Sequence, residues 1–114
     1  MNNILNKESV KRVKASLDDF NNSIKVQILK KSARTAIDAA SALGCGVGAI
    51  VKSLLIKTDE TFILCLVSGD KRCSLSKVKK ITRKKDVSMA NAELVKKTTG
   101  FTIGGVSPVG LKEN

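Results

Sequence analysis

Apolar positions near the start of the chain follow two different periodicities. Over residues 9–20, apolar side chains recur at spacings of three, four and three positions, which predicts the apolar face of a helix. Over residues 24–29, the branched apolar residues Ile24, Val26 and Ile28 occupy every second position. This alternation predicts a short, half-buried strand. The chain is therefore predicted to begin with a helix followed by a strand.

The middle of the chain predicts a capped helix and a hairpin. Thr35 can cap the start of a second helix, Asp38 follows three residues later as in a short capping box, and Gly44 can end it. The apolar runs 49–57 and 61–67 flank a short polar turn. This arrangement predicts a β-hairpin in the middle of a sheet.

The last third of the chain predicts one more helix and an irregular loop. Ser88 can cap the helix, and Gly100 can end it. Its predicted inward side chains are Met89, Ala92, Leu94 and Val95. Residues 100–110 contain four glycines and one proline, a composition that excludes a regular helix or strand. The predicted order of elements indicates an α+β (mixed α/β) domain with a central sheet.

Composition narrows the possible functions. The chain has 114 residues, enough for one small domain, and its 21 Lys and Arg against 10 Asp and Glu give a net charge of +11. This excess favours a polyanionic partner, most simply nucleic acid. The chain has no His, Trp or Tyr, which excludes a Ser-His-Asp triad, a Cys-His dyad and His-ligated metal sites.

The cysteines and the hydropathy indicate where such a chain would act. The three cysteines form an odd set without a CxxC pair, which excludes a closed disulfide framework and a four-cysteine zinc site. A reduced, cytoplasmic setting fits this pattern. No segment approaches the length needed to span a bilayer, so we expect no membrane partner.

Two features could carry chemistry. Lys52 interrupts an apolar run, so its side chain either reaches solvent at a sheet margin or projects into a pocket. The loop over residues 100–110 is either an ordinary tight connection or a segment that aims several N–H groups at one carbonyl oxygen. Asp70 follows a turn glycine, and local turn hydrogen bonding is the simplest interpretation of its carboxylate.

A basic tract covers residues 71–85 and contains no acidic residue. A charge run is usually a solvated face, but this density favours contact with a phosphate backbone. The residues predicted to bind nucleic acid are Lys71, Arg72, Lys77, Lys79, Lys80, Arg83, Lys84 and Lys85.

Four segments together resemble a known family. In order along the chain they read TAIDAASALG over 35–44, IVKSL over 50–54, SGDKR over 68–72 and GFTIGGVSPVG over 100–110. Their order and spacing are similar to those of the YbaK/ProX family of aminoacyl-tRNA editing domains, also called the prolyl-tRNA synthetase-associated editing domain. The last segment is the most specific, and the Lys-Ser-Leu strand supports it.

The resemblance implies a central mixed β-sheet flanked by helices and hydrolysis of the ester bond of mischarged tRNA, such as Ala- or Cys-tRNA of the proline acceptor. An aminoacyl-tRNA synthetase is a further implied partner, and no cofactor or metal is needed, because backbone N–H groups can stabilise the oxyanion. The predicted catalytic residues are Lys52, Gly104, Gly105, Val106 and Ser107. The predicted substrate-binding residues are Ile103, Pro108 and Asp70.

The family domain continues past the glycine-rich loop, whereas this chain ends with residues 111–114. We therefore expect a single editing domain over residues 1–114 whose C-terminal strands are missing. Two alternatives to an active deacylase stay open: a catalytically inactive relative that binds RNA through the basic tract, and a small basic nucleic-acid-binding module of the ribosomal type.

Overall fold

The computed structural model describes residues 7–29 and 33–112. Its sheet is built on a hairpin of β1 (Val51–Thr58) and β2 (Thr61–Ser68), with a third strand, β3 (Val87–Met89), on the other side of β1. The predicted hairpin is confirmed, and β1 is the central strand. Both described ladders are antiparallel, whereas the resemblance implied a mixed sheet.

The described part of the chain also contains four helices. They are α1 (Glu8–Phe20), α2 (Ala36–Leu43), α3 (Leu75–Thr82) and α4 (Ala92–Thr99), and a short 3-10 turn (Val47–Ala49) leads from α2 into β1. The architecture is α+β, as predicted. None of these helices is both long and apolar enough to cross a membrane.

The predicted ends of α2 are confirmed in detail. The hydroxyl of Thr35 accepts a hydrogen bond from the N–H of Asp38 at 3.0 Å, which satisfies one of the free donors of the first turn. Gly44 ends the helix with φ of 70°, a left-handed conformation that glycine adopts without steric cost. The first predicted helix is likewise confirmed as α1.

The strand predicted over residues 24–29 is wrong. This segment has no ladder partner among the described residues and forms no strand, and Ile24 and Ile28 are exposed. The chain instead turns at Asn21, whose side chain accepts the N–H of Ser23 at 3.0 Å. Alternation of apolar residues produces a strand only where a neighbouring strand supplies hydrogen bonds.

The start of the last helix was also predicted wrongly. Ser88 lies in β3 opposite Lys57, and α4 is capped by Asn91, whose side chain accepts the N–H of Leu94 at 2.8 Å. Of the four side chains predicted to face inward, Val95 is buried and Leu94 half-buried, whereas Met89 and Ala92 are exposed. The predicted end at Gly100 is confirmed, with φ of 80°.

The two faces of β1 bury different side chains. Successive residues of a strand point to opposite faces, so Ser53 shares a face with Leu55, while Lys52 lies on the other face. Leu55 belongs to a buried cluster with Ala90 and Val95. Partly buried side chains pack against this cluster: Phe62, Leu64, Leu94 and Val106. The glycine-rich loop is thus attached to the sheet through Val106.

Candidate functional site

One edge of β1 is left uncovered because β3 is short. Its ladder with β1 covers only Ile56 to Thr58, and the last main-chain bond on that side runs from Ala90 N–H to the carbonyl of Leu55 at 3.1 Å. In an antiparallel ladder, alternate residues direct both main-chain groups to the same side. The N–H and C=O of Ser53 therefore point past the end of β3, where no strand pairs with them in the described chain.

A cavity of about 410 Å³ follows this uncovered edge. Such a volume is typical of sites for small ligands. Its walls come from the start of α2, the edge of β1, the junction between β3 and α4, and the glycine-rich loop. Residues from these four parts that line it include Ala36, Ala39, Lys52, Ser53, Ala90, Ile103, Gly104 and Val106.

Ser53 lines this cavity. Its hydroxyl oxygen is buried and has no hydrogen-bond partner among the described residues. A buried hydroxyl without a partner costs about 1–3 kcal/mol, so such a group is satisfied best by a ligand or by water. Ser53 is not predicted from the sequence, because a single serine within an apolar run forms no pattern.

Lys52 lines the same cavity, but its ammonium group is already bound. Nζ donates a hydrogen bond to the main-chain carbonyl of Lys71 at 2.5 Å. The side chain is half-buried. Lys52 and Ser53 thus line the cavity from opposite faces of β1. The ammonium group of Lys52 lies where the cavity meets the first residue of the basic tract.

The glycine-rich loop reaches the cavity with only some of its predicted residues. Ile103, Gly104 and Val106 line the cavity, and the N–H groups of Gly104 and Val106 have no acceptor within residues 7–29 and 33–112. The N–H of Gly105 instead donates to the carbonyl of Thr102 at 2.9 Å and closes a turn. Two residues that line the cavity therefore have main-chain donors without an acceptor in the described chain.

The other predicted loop residues do not line the cavity. The hydroxyl of Ser107 accepts the N–H of Val109 at 3.2 Å, and Pro108 is exposed. Asp70 is also outside the cavity walls, and its carboxylate lies 2.9 Å from the hydroxyl of Ser68. The carboxylate of Asp70 therefore forms a local hydrogen bond within its own turn.

The basic tract contains α3, which the sequence analysis did not predict. Ser74 caps this helix by accepting the N–H of Lys77 at 3.3 Å. All eight cationic residues of the tract are exposed except Lys84, which is half-buried. Both ion pairs of the described residues lie within α1. Among the described residues, no carboxylate therefore forms an ion pair with a cation of the basic tract.

The cysteines offer no nucleophile at this cavity. None of the three lines it, and Cys65 and Cys73 are half-buried. Burial raises the pKa of the Cys65 thiol, and the neighbouring thiol of Cys73 raises it further. Cys65 therefore stays protonated at neutral pH, as a small packing residue does.

Comparisons with known proteins agree with this geometry. Residues 30–114 match the family model described as aminoacyl-tRNA editing domain. The chain is 33% identical over 87 residues to a proline--tRNA ligase of Caldicellulosiruptor bescii, covering 76% of this chain and 15% of the ligase. It is 38% identical over 80 residues to a proline--tRNA ligase of Bacillus licheniformis, covering 70% of this chain and 14% of that ligase. The chain thus spans about one seventh of the length of these curated relatives.

A solved structure is similar over nearly the whole chain. It is described as a candidate trans-editing enzyme for prolyl tRNA synthetase, and it superposes with a TM-score of 0.85 at 40% sequence identity. The match covers 93% of this chain and 68% of that one. The likeness therefore extends to the fold as well as to the sequence.

Proposed function

The chain belongs to the aminoacyl-tRNA editing domain family, and on that premise we propose that it is an aminoacyl-tRNA deacylase that hydrolyses mischarged tRNA at the cavity beside β1. One observation carries the proposal: one cavity is lined by residues of β1 and of the glycine-rich loop whose hydrogen-bonding groups have no partner in the described chain, together with apolar side chains. The proposed substrates are tRNAs of the proline acceptor that carry alanine or cysteine.

The proposed chemistry uses the main chain for oxyanion stabilisation. Attack of water on the ester carbon places negative charge on the former carbonyl oxygen, and the N–H groups of Gly104 and Val106 are the donors available to it. The bond from the acyl carbon to the ribose oxygen then breaks, which releases a free amino acid and a tRNA with its ribose hydroxyl restored. An aminoacyl ester is activated, so positioning and charge stabilisation suffice.

The proposed role of β1 is to hold the aminoacyl group. The substrate's α-ammonium needs acceptors, and the hydroxyl and main-chain carbonyl of Ser53 supply them at the uncovered edge. Ala36, Ala39 and Ala90 line the cavity, and we assign to them the wall that limits the size of the substrate's side chain. This wall acts as the sieve that admits alanine or cysteine.

The proposed role of Lys52 and the basic tract is to bind the tRNA. Lys52 is anchored to the first residue of the tract, Lys71, by its hydrogen bond. A phosphate backbone lying along α3 would therefore bring the acceptor end to the cavity at Lys52, which binds there as a cation and not as a nucleophile.

Deacylation of a defined panel tests this function. Purified chain is mixed with Ala-, Cys- and Pro-tRNA of the proline acceptor, and release of amino acid is followed over time. We expect turnover of the first two and little of the third. Lys52→Ala should lose at least roughly ten-fold in rate, which is about 1.4 kcal/mol of transition-state binding. Lys57→Ala, an exposed lysine of the same strand, should match the wild type. If the chain hydrolyses none of these three aminoacyl-tRNAs faster than buffer does, the proposed deacylase function is refuted.

A second candidate function is RNA binding without catalysis. It is favoured by the engagement of the Lys52 ammonium with Lys71 and by the turn that uses the Gly105 N–H. Salt-sensitive tRNA binding together with no turnover on the same panel would support this candidate.

A further inference from the structure

Both ends of the glycine-rich loop are bound by one side chain of α1. Nε of Arg12 donates to the carbonyl of Gly110 at 3.1 Å, and Nη2 donates to the carbonyl of Gly100 at 3.3 Å. The guanidinium group also lies over the ring of Phe101, 5.0 Å from its centre. A third nitrogen, Nη1, pairs with Glu8 one turn earlier on the helix. The position of the guanidinium group is thus fixed by contacts of all three nitrogens and of its planar face.

The two loop ends approach α1 too closely for a side chain. A Cβ added to Gly100 would collide with Nη2 of Arg12, and one added to Gly110 would lie 2.9 Å from the main-chain oxygen of Arg12. Both glycines also have positive φ, 80° and 71°. The main chain of α1 therefore requires glycine at position 110, whereas Gly104 has no neighbour in that space.

The ends of the loop are also tied to each other. The N–H of Lys112 donates to the carbonyl of Thr99 at 3.0 Å, so the intervening chain forms a closed loop of the kind that packs on its own ends. The loop between these ties brings Gly104 and Val106 to the cavity. Movement of either end would therefore displace both free N–H groups.

We propose that Arg12 is a positioning residue for ester hydrolysis: by bridging the carbonyls of Gly100 and Gly110, it holds the N–H groups of Gly104 and Val106 in place for the oxyanion. This inference rests on the proposed function. Arg12 lies outside residues 30–114, the part that matches the family model, so α1 adds a support that the matched segment does not contain.

The arrangement requires an arginine. Its two carbonyl bonds come from different nitrogens of one planar group, and that group also stacks on Phe101. A lysine keeps the charge and a stem of similar length, but its single nitrogen cannot bridge both carbonyls in this geometry. Arg12→Lys therefore separates bridging from charge.

The test compares Arg12→Ala and Arg12→Lys with Lys11→Ala, which removes an exposed charge from the neighbouring position of the same helix. Steady-state deacylation gives kcat and KM for each protein, and amide hydrogen exchange measures protection over residues 101–109. Both Arg12 variants should lose at least ten-fold in kcat, with KM within three-fold of wild type and with faster loop exchange. Lys11→Ala should behave as wild type.

Three outcomes would overturn the inference. In the first, kcat and loop exchange of both Arg12 variants equal those of wild type. In the second, the loss of activity disappears once rates are divided by the folded fraction, which marks a purely structural role. In the third, Arg12→Lys restores full kcat, which removes the need for bridging. Failure of the wild type itself to turn over the panel would refute the proposed function instead, and would overturn the catalytic role of Arg12 with it.

Discussion

The ammonium group of Lys52 and the main-chain carbonyl of Lys71 are joined by a hydrogen bond of 2.5 Å across the end of the hairpin. One residue lines the cavity, and the other opens the basic tract. This bond therefore connects the two parts of the molecule to which we assign catalysis and tRNA binding. A bound phosphate near Lys52 would have to share or replace it.

Ser53→Ala should lower deacylation without lowering stability. The substitution removes an acceptor for the substrate's α-ammonium, so we expect kcat/KM to fall by roughly ten-fold or more, as for loss of a hydrogen bond to a charged group. The folded state loses only a hydroxyl that has no partner within residues 7–29 and 33–112, so the free energy of unfolding should be unchanged or slightly higher. Ser41→Ala, at an exposed position of α2, is the control for kinetics and denaturant unfolding. A fall in stability with unchanged kcat/KM would contradict the assignment.

Ala39→Leu should narrow the choice of substrate. Ala39 forms part of the cavity wall, and the added carbon atoms would occupy the space proposed for the substrate side chain. We expect kcat/KM to fall more for Cys-tRNA than for Ala-tRNA, with the ratio changing by roughly ten-fold, since a methylene-sized difference is worth about 1–3 kcal/mol. Ala15→Leu on the exposed side of α1 should leave the ratio unaltered. Equal losses on both substrates would argue against a sieve at this wall.

Removing three charges from α3 should weaken tRNA binding and its dependence on salt. Lys77, Lys79 and Lys80 are exposed, and each phosphate contact contributes nearly one unit to the slope of log K against log salt. The triple alanine variant should therefore lower that slope by roughly two to three units. A matched triple variant at Lys57, Lys96 and Lys97 also removes three exposed charges. If both variants change the slope alike, net charge and not the tract determines binding.

Thr99→Val should destabilise the protein through the loop. The buried hydroxyl of Thr99 donates to the carbonyl of Val95 at 2.7 Å and accepts the N–H of Phe101 at 3.0 Å. Valine keeps the shape but leaves the N–H of Phe101 buried without a partner, at a cost of about 1–3 kcal/mol. Denaturant unfolding measures this cost, with Thr98→Val, one position earlier, as the control. Equal stability of the two variants would show that the bond to Phe101 contributes nothing.

Local signals predicted the parts of the fold that depend on local chemistry. The pair Thr35 and Asp38, and the glycine at position 44, identified the ends of α2 because caps satisfy free main-chain groups in their own turn. The predicted cap at Ser88 is wrong, because Ser88 and Asn91 are both capping residues, three positions apart, and Ser88 belongs to β3 whereas Asn91 precedes α4. Choosing between them needed the pairing of Ser88 with Lys57, which is a tertiary fact.

The candidate site was predicted only where its residues give a local signal in the sequence. Lys52, Gly104 and Val106 stand out in the sequence, one as a charge in an apolar run and two within a glycine-rich segment. Ser53 is identified only by the structure: β3 ends at Met89 and does not reach the main chain of Ser53, and its hydroxyl has no partner among the described residues. The contribution of Arg12 to the loop spans 88 and 98 positions of sequence, a separation that no local pattern reports.

The three-residue length of β3 has a consequence for how specificity must arise. A ligand held by the exposed main chain of β1 takes the place of a missing strand, and main-chain bonds do not distinguish one amino acid from another. Anchoring of the substrate is then common to correct and incorrect amino acids alike. Under the proposed function, selection between them would depend on the volume beside Ala36, Ala39 and Ala90, so affinity and discrimination could evolve separately in this pocket.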